Sequence, residues 1–280
     1  MQIGSYSVES IVDGFFGLDG GSMFGIVPKP LWARTNPADE QNRIELAARC
    51  LLLEGEGRRI LVDTGLGAKY DAKRAEIFNV RRPDDGLLGA LSRRGISAEE
   101  ISDVILTHLH FDHCGGTTQR SEEEISLTFP AAVHHVQRRN WEWAWNPSAK
   151  DAGSFREEDF ATLDDVDKLH LIEGNIELFP GVHLHVVDGH TPAMQLVRVA
   201  ADEASILFLA DLVPTRSHLK WPYIMAYDNQ PLVTLAEKHE LLPRAAAESW
   251  IVGFQHDPHC AAATLRFDGN HIVLDETIDL

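Results

Sequence analysis

The chain is poor in what secreted and nucleic-acid-binding proteins are rich in. Its 280 residues hold only three cysteines, Cys50, Cys114 and Cys260, far apart, odd in number and without a C-x-x-C pair. A disulfide framework is therefore not implied, and a reducing compartment is expected. Positive charge is also scarce: 25 Lys and Arg against 43 Asp and Glu leave a formal net charge of −18. Such a chain repels phosphate backbones and anionic lipid surfaces alike, so neither nucleic acid nor membrane is expected as a partner. No apolar run approaches the ~20 residues needed to cross a bilayer, and residues 1–5 have neither the basic nor the apolar region of a secretory leader. These absences point to a soluble, cytoplasmic protein. Repeats, linkers and low-complexity segments are lacking as well. An apolar fraction of 44% over this length suffices for a large core, and residues 1–280 are expected to form a single domain.

Histidine, by contrast, is plentiful at 14 residues, and three of them gather with an aspartate in Thr107-His108-Leu109-His110-Phe111-Asp112-His113-Cys114-Gly115-Gly116. Imidazole and carboxylate together suit borderline divalent metals. The block follows the apolar run 104–106, a strand by pattern, and precedes a glycine pair, which is the setting of a loop-borne site. An extended chain throws His108 and His110 to one side while the neighbouring Asp112 and His113 diverge, so a single loop can feed two ions. His134, His135, His183 and His185 lack an acid or cysteine at ligand spacing and are read as structural.

On these residues the sequence resembles the metallo-β-lactamase superfamily of dinuclear metallohydrolases. His108, His110, Asp112 and His113 match its signature. Gly189-His190-Thr191-Pro192 is similar to the segment giving a third histidine, Ala210-Asp211 to the bridging aspartate, and Gln255-His256-Asp257 to the last histidine. The resemblance implies a fold of the α/β (α+β) class, an αββα sandwich of two mixed sheets flanked by helices. It also implies two divalent ions, with His108, His110 and His190 on one, Asp112, His113 and His256 on the other, and Asp211 between them. Zinc is expected, although iron, manganese and cobalt also accept nitrogen and oxygen donors. A hydroxide bridging the ions would attack an ester-type carbonyl, and Asp112 would carry the proton to the leaving group. Asp63, in Asp63-Thr64-Gly65 at a strand end, is expected to accept a hydrogen bond from the far nitrogen of a ligand imidazole, with Thr191 also close to the metals.

A second stretch narrows the branch. Asp19-Gly20-Gly21-Ser22-Met23-Phe24-Gly25-Ile26-Val27-Pro28-Lys29-Pro30-Leu31-Trp32 combines turn residues with large apolar ones, and reads as a loop without regular structure whose apolar groups need a surface to cover. It resembles a pattern of quorum-quenching lactonases and related organophosphate hydrolases. That resemblance implies opening of the lactone ring of N-acyl-homoserine lactones, with the acyl chain against Met23, Phe24, Ile26 and Trp32, and a homodimer. The alternative is an organophosphate or general carboxylic ester hydrolase on the same two-metal site. One departure stands out: smaller homoserine lactonases place a tyrosine three residues after the bridging aspartate, where this chain has Pro214. Tyr223, or failing that Tyr227, is expected to reach the substrate instead. A redox di-iron protein on this fold would carry glutamate at position 110, and a silent binding module would have lost ligands.

The remaining chain alternates strands and helices by pattern. Residues 3–12 read as an edge strand running into a turn at Asp13-Gly14, and 46–53 with 58–63 as a hairpin. A short helix is expected over 86–95 and a capping box at Ser97 to Glu100. A strand is expected over 131–135, then helical cover over 136–167 in which Trp141 and Trp145 lie one turn apart in the core. Further strands are expected at 169–172, 176–179, 183–187, 195–199, 205–209 and 250–253. Residues 229–249 read as a helix that Pro243 kinks or splits, and 263–273 as a closing hairpin.

Overall fold

The computed structural model describes residues 1–122, 124–164, 167–202 and 204–280, and the chain divides into two compact units, Met1–Phe15 with Ala48–Gly174 and Phe16–Ala47 with Asn175–Leu280. Strands β1 (Gln2–Ile3), β2 (Tyr6–Asp19), β3 (Arg43–Gly55), β4 (Arg58–Val62), β5 (Asp103–Ile105), β6 (Thr118–Ser121), β7 (Glu124–Leu127), β8 (Val133–Gln137) and β9 (Leu169–Ile172) come first. Seven of them form one mixed sheet in the order β1-β2-β3-β4-β5-β8-β9, with β6 and β7 a separate hairpin. β3 and β4 pair antiparallel, whereas β4, β5, β8 and β9 run parallel. Residues 46–53 of β3 are all buried, as a strand covered on both faces must be. Against this sheet, whose β5 contributes Val104, pack Leu87, Leu91, Leu106, Leu109, Trp141 and Phe160, the core of the first unit.

The predicted turn at Asp13-Gly14 is absent, and β2 runs straight through it to Asp19. Asp13 is fully buried and accepts from the Leu66, Gly67 and Leu87 amides and from Arg82. Three buried amides and a half-buried guanidinium claim the carboxylate that a turn would have turned to water, so tertiary contacts override the dipeptide signal. Helix Gly86–Arg93 and the Ser97 to Glu100 capping box occur as expected. The strand expected at 131–135 starts two residues later. The helical cover over 136–167 consists of Arg138–Trp145, Glu157–Phe160 and short 3-10 turns, positions 165 and 166 lying outside the described residues. Trp141 is buried, but Trp145 is 36% exposed.

The second unit holds β10 (Ile176–Phe179), β11 (Val182–Val187), β12 (Met194–Ala200), β13 (Ser205–Phe208), β14 (Ile251–Gly253), β15 (Ala262–Asp268) and β16 (His271–Ile278), in that order across a second sheet. All its pairings are antiparallel except β13 with β14. That one parallel pair is bridged by helix Pro231–Ala247, which buries Leu241, Leu242 and Ala245 against Leu207, Val252 and Ala263. The helix is continuous through Pro243 and is not split. Proline lacks only the hydrogen bond to the carbonyl of His239, and the buried residues on both sides of it keep the helix whole. Segment 19–32 is likewise not irregular: Gly20–Phe24 and Lys29–Trp32 are short helices. The Asp19 carboxylate caps the first by accepting from the Ser22 amide, and Pro30 sits in the opening turn of the second, where a missing amide costs nothing.

Candidate metal centre

In the first unit the donors stand on the chain leaving β5. The Asp63 carboxylate, at the end of β4, accepts from the Thr107 amide at 2.7 Å and the Thr107 hydroxyl at 2.8 Å. Asp63 has a left-handed backbone, φ 59°, which a short polar side chain tolerates. Its Oδ2 also lies 3.0 Å from His113 Nδ1, while the Thr107 hydroxyl oxygen lies 3.1 Å from His108 Nδ1. With the hydroxyl proton given to Asp63, its oxygen is an acceptor. Both imidazoles then carry their protons on Nδ1 and present Nε2 as a lone pair. His108 Nε2 faces His110 Nδ1 at 3.0 Å, the spacing of two ligands on one small cation, since each nitrogen sits about 2.0–2.1 Å from such an ion. The Leu109 amide donates to Asn140 Oδ1, Phe155 packs its edge on His110, and His110 opens the helical turn Phe111–Cys114 that carries Asp112 and His113.

The glycine pair works by close approach. The Thr64 amide donates to the His113 carbonyl and the Gly116 amide to that of Gly65, so the loops after β4 and β5 continue the parallel pairing of their strands. A methyl group on Gly115 would sit 2.3 Å from the Leu66 carbonyl oxygen, and one on Gly116 2.2 Å from that of Thr64. Lys69 fastens the same region, donating to the carbonyls of Gly115 and Thr118 beside its buried ion pair with Asp159.

In the second unit His190, Asp211 and His256 come together. His190 follows β11, Asp211 lies in the 3-10 turn after β13, and His256 follows β14, so the three sit at the ends of neighbouring strands. The two oxygens of Asp211 lie 3.1 Å from His190 Nε2 and 2.9 Å from His256 Nε2. Each imidazole is held from behind: His190 Nδ1 by Asp228 at 2.8 Å, and His256 Nδ1 by the Ala47 carbonyl at 2.7 Å, whose own amide donates back to the His256 carbonyl. Phe16 packs edge-on to the His256 ring. Burial pulls the His190 pKa down, but Asp211 and Asp228 raise it, and the balance is about 9. Without a cation, His190 is an imidazolium between two carboxylates, and loading must expel its proton. Each unit thus presents buried nitrogen and oxygen donors, with His108, His113, His190 and His256 held from behind, and a divalent cation fits both sets.

The other expected residues fall as follows. Thr191 is buried, and its hydroxyl has no partner among the described residues. Met23, Phe24 and Trp32 are interior groups of the second unit: Phe24 stacks between Trp32 at 5.3 Å and His218 at 4.7 Å and meets the Tyr223 edge at 5.7 Å. Ile26 is 89% exposed, so these four residues do not form one wall. Tyr223 is buried, with Lys220 over its ring, and Tyr227 is half-buried. His218 donates to the Met23 carbonyl and receives from the Thr215 hydroxyl, and burial pushes its pKa down to about 3. Sequence reasoning missed Thr107, Asn140, Asp228 and the Ala47 carbonyl. Asp228 lies 38 residues from the histidine it holds, and a main-chain acceptor has no residue type to recognise.

Comparison with known proteins gives the family and the fold. The Metallo-beta-lactamase superfamily profile matches residues 43–256. An N-acyl homoserine lactonase of Bacillus cereus is 28% identical over 229 residues, covering 77% of this chain and 83% of its own. A probable metal-dependent hydrolase from Staphylococcus aureus superposes with a TM-score of 0.88 at 27% identity, over 99% of this chain and all of that one. AidC, a dizinc quorum-quenching lactonase solved with a product, shares the fold at a TM-score of 0.80 and 20% identity, over 100% of this chain and 97% of its own. With its two mixed sheets flanked by helices and its histidine and aspartate donors on strand-end loops, the chain belongs to the metallo-β-lactamase superfamily and is one of its hydrolases.

Proposed function

We propose that this hydrolase opens the lactone ring of N-acyl-homoserine lactones. The observation that carries the reading is the single Asp211 carboxylate flanked by His190 and His256, the arrangement of a residue shared by two cations. The choice of a lactone is supported by the kinship with the Bacillus cereus lactonase. In this reading His108, His110, His190 and Asp211 hold one cation and Asp112, His113 and His256 the other, with Asp211 common to both. Zinc suits the nitrogen and oxygen donors. Two such cations supply acidified water at neutral pH and an electrophilic pull on the carbonyl oxygen.

The side chains do the rest. Asp63, Thr107, Asp228 and the Ala47 carbonyl fix the tautomers of the imidazoles they hold. Asp112 gives one oxygen to the cation and uses the other to take the proton of the attacking water. A carbon–oxygen bond forms at the acyl carbon, the ring carbon–oxygen bond breaks, and the proton held by Asp112 passes to the departing alkoxide, which becomes the homoserine hydroxyl. Met23, Phe24 and Trp32 brace the 19–32 segment from within, and the acyl chain meets Ile26 at its exposed tip, with Tyr223 behind. Ile26 and Leu31, 89% and 46% exposed, also support a homodimer through this segment, and the acidic, cysteine-poor composition supports a cytoplasmic setting.

The test is a comparison of kcat/KM for metal-loaded protein across lactones of graded acyl length, aryl esters and paraoxon-like phosphotriesters. Two cations per chain and lactones as the fastest class are expected, with activity falling by at least about 10³-fold in Asp211→Ala, as loss of a shared ligand requires. Lactone turnover no faster than that of other esters would reject the substrate assignment. If phosphotriesters led, the chain would be an organophosphate hydrolase.

A further inference from the structure

One polar group in the first unit is built into place and left without a use. Tyr70 follows Lys69, whose ammonium is pinned to the Gly115 and Thr118 carbonyls, and precedes Asp71, the cap of helix Ala72–Ile77. Its backbone is therefore tied to the loop that bears Asp112 and His113. The ring is fixed as well: the Arg156 guanidinium lies 5.0 Å over its centroid, and Phe111, beside Asp112, stands perpendicular at 6.5 Å. Arg156 also donates to the Lys69 carbonyl, and its neighbour Phe155 packs against His110. Held on both sides, the ring carries a buried hydroxyl whose oxygen has the Arg156 guanidinium beside it as a donor, while its proton has no acceptor among the described residues. Leaving such a donor unpaired costs about 1–3 kcal/mol, and a ligand that supplies the acceptor removes that cost. Burial, reinforced by the Asp112 carboxylate, pushes its pKa well up, so the hydroxyl keeps its proton and acts as a donor.

We propose that the Tyr70 hydroxyl donates a hydrogen bond to the leaving oxygen of the substrate. The proposal rests on the lactonase reading for the identity of that oxygen and on the neighbourhood of Asp112 for the choice. Asp112 is the group that returns a proton to the departing alkoxide, and the Tyr70 hydroxyl lies near enough to feel its carboxylate, with Phe111, the neighbour of Asp112, against the ring. As the ring carbon–oxygen bond breaks, negative charge grows on that oxygen and the hydrogen bond strengthens. Asp112 then delivers the proton, and Tyr70 keeps its own. The assignment gives Tyr70 the substrate-binding part that the sequence suggested for Tyr223, whose ring edge packs on Phe24.

Tyr70→Phe removes the hydroxyl and keeps the ring that Arg156 and Phe111 hold, so its metal content should match the parent and its thermal midpoint should equal or exceed it, the unpaired group being gone. The decisive comparison pairs an oxygen lactone with the corresponding thiolactone, whose leaving sulfur accepts hydrogen bonds poorly and needs less help to depart. Y70F should lower kcat for the oxygen ring on the order of 10²-fold, the scale of one lost transition-state donor, and that for the thiolactone by less than about three-fold. In a series of aryl esters the loss should grow as the leaving phenol becomes less acidic. Equal losses on oxygen and sulfur rings, or no loss on either, would overturn the proposal while leaving the lactonase reading intact. If the parent opens no lactone, that reading fails separately, and the aryl ester series still decides for or against Tyr70. A Y70F protein with a lowered midpoint or lost metal would mean the ring contacts depend on the hydroxyl, which also overturns it.

Discussion

His190 shows how little of a site's control resides in the ligand itself. Its ring is set by Asp228 on one nitrogen and Asp211 on the other, and the two differ in what removal would do. Asp228→Asn keeps the size but offers an amide that can itself donate to Nδ1, which favours the tautomer with its proton on the ligating nitrogen. Metal affinity should fall 10- to 100-fold, the usual cost of losing such a partner, as read by competition with a chromogenic chelator, while the fold is retained. Unchanged affinity would show that the ring needs no support from behind. The ligands themselves were legible in the sequence because metal chemistry restricts residue types tightly. Their supports were not, since a carboxylate, a hydroxyl, an amide oxygen and a main-chain carbonyl all serve, from any distance along the chain.

Strand-end loops place the donors, and the two after β4 and β5 lie so close that only glycine fits between them. Gly116→Ala puts a methyl group 2.2 Å from the Thr64 carbonyl oxygen, so the loops must part. The parting should cost about 1–3 kcal/mol of stability, as overpacking does, and also weaken metal binding, because Asp63 would drift from Thr107 and His113. Denaturant midpoints and metal retention measured together check this, and loss of one without the other would separate packing from positioning. In helix Pro231–Ala247 the change runs the other way. Pro243→Ala restores an amide opposite the His239 carbonyl and should raise stability by at least about 1 kcal/mol, read from the urea midpoint. The elements as such were largely legible, hairpins from their turns and helices from spacing and caps. Misreadings came where a local signal met a stronger distant one: Asp13-Gly14 as a turn, a split of the helix as one outcome at Pro243, and the glycines and prolines of 19–32 as a segment without regular structure. A buried carboxylate with four donors, a packed helix face and a capping Asp19 each won over the nearby sequence.

At the scale of the whole molecule, buried histidines set the response to acid. His134 is buried, and although backbone carbonyls near Lys168 and Ala132 favour its charged form, burial outweighs them and lowers its pKa to about 4; His218 is lowered to about 3. Both must stay neutral in the fold, whereas the unfolded chain protonates them below about 6.5. Between pH 6 and 4.5 the unfolded state binds more protons, so stability falls as pH falls. His190 is charged in both states over that window and drops out. Urea midpoints of the metal-free protein should therefore decline from pH 6 to 4.5, and more gently in His134→Phe. Equal slopes would show that His134 is protonated in the fold.

The hold on His256 leads somewhere else again. Its acceptor is the oxygen of the peptide after Ala47, answered by the amide of Ala47 itself. Every amino acid carries that oxygen, so an alanine scan would pass over position 47, already alanine, and report nothing of its role. The grip is out of reach of ordinary mutation, whether in the laboratory or in descent, and of the ligand supports it is the one a diverging lineage cannot lose by a change of letter alone. Only an alteration of the backbone, such as an ester in place of the amide there, would bring it to light.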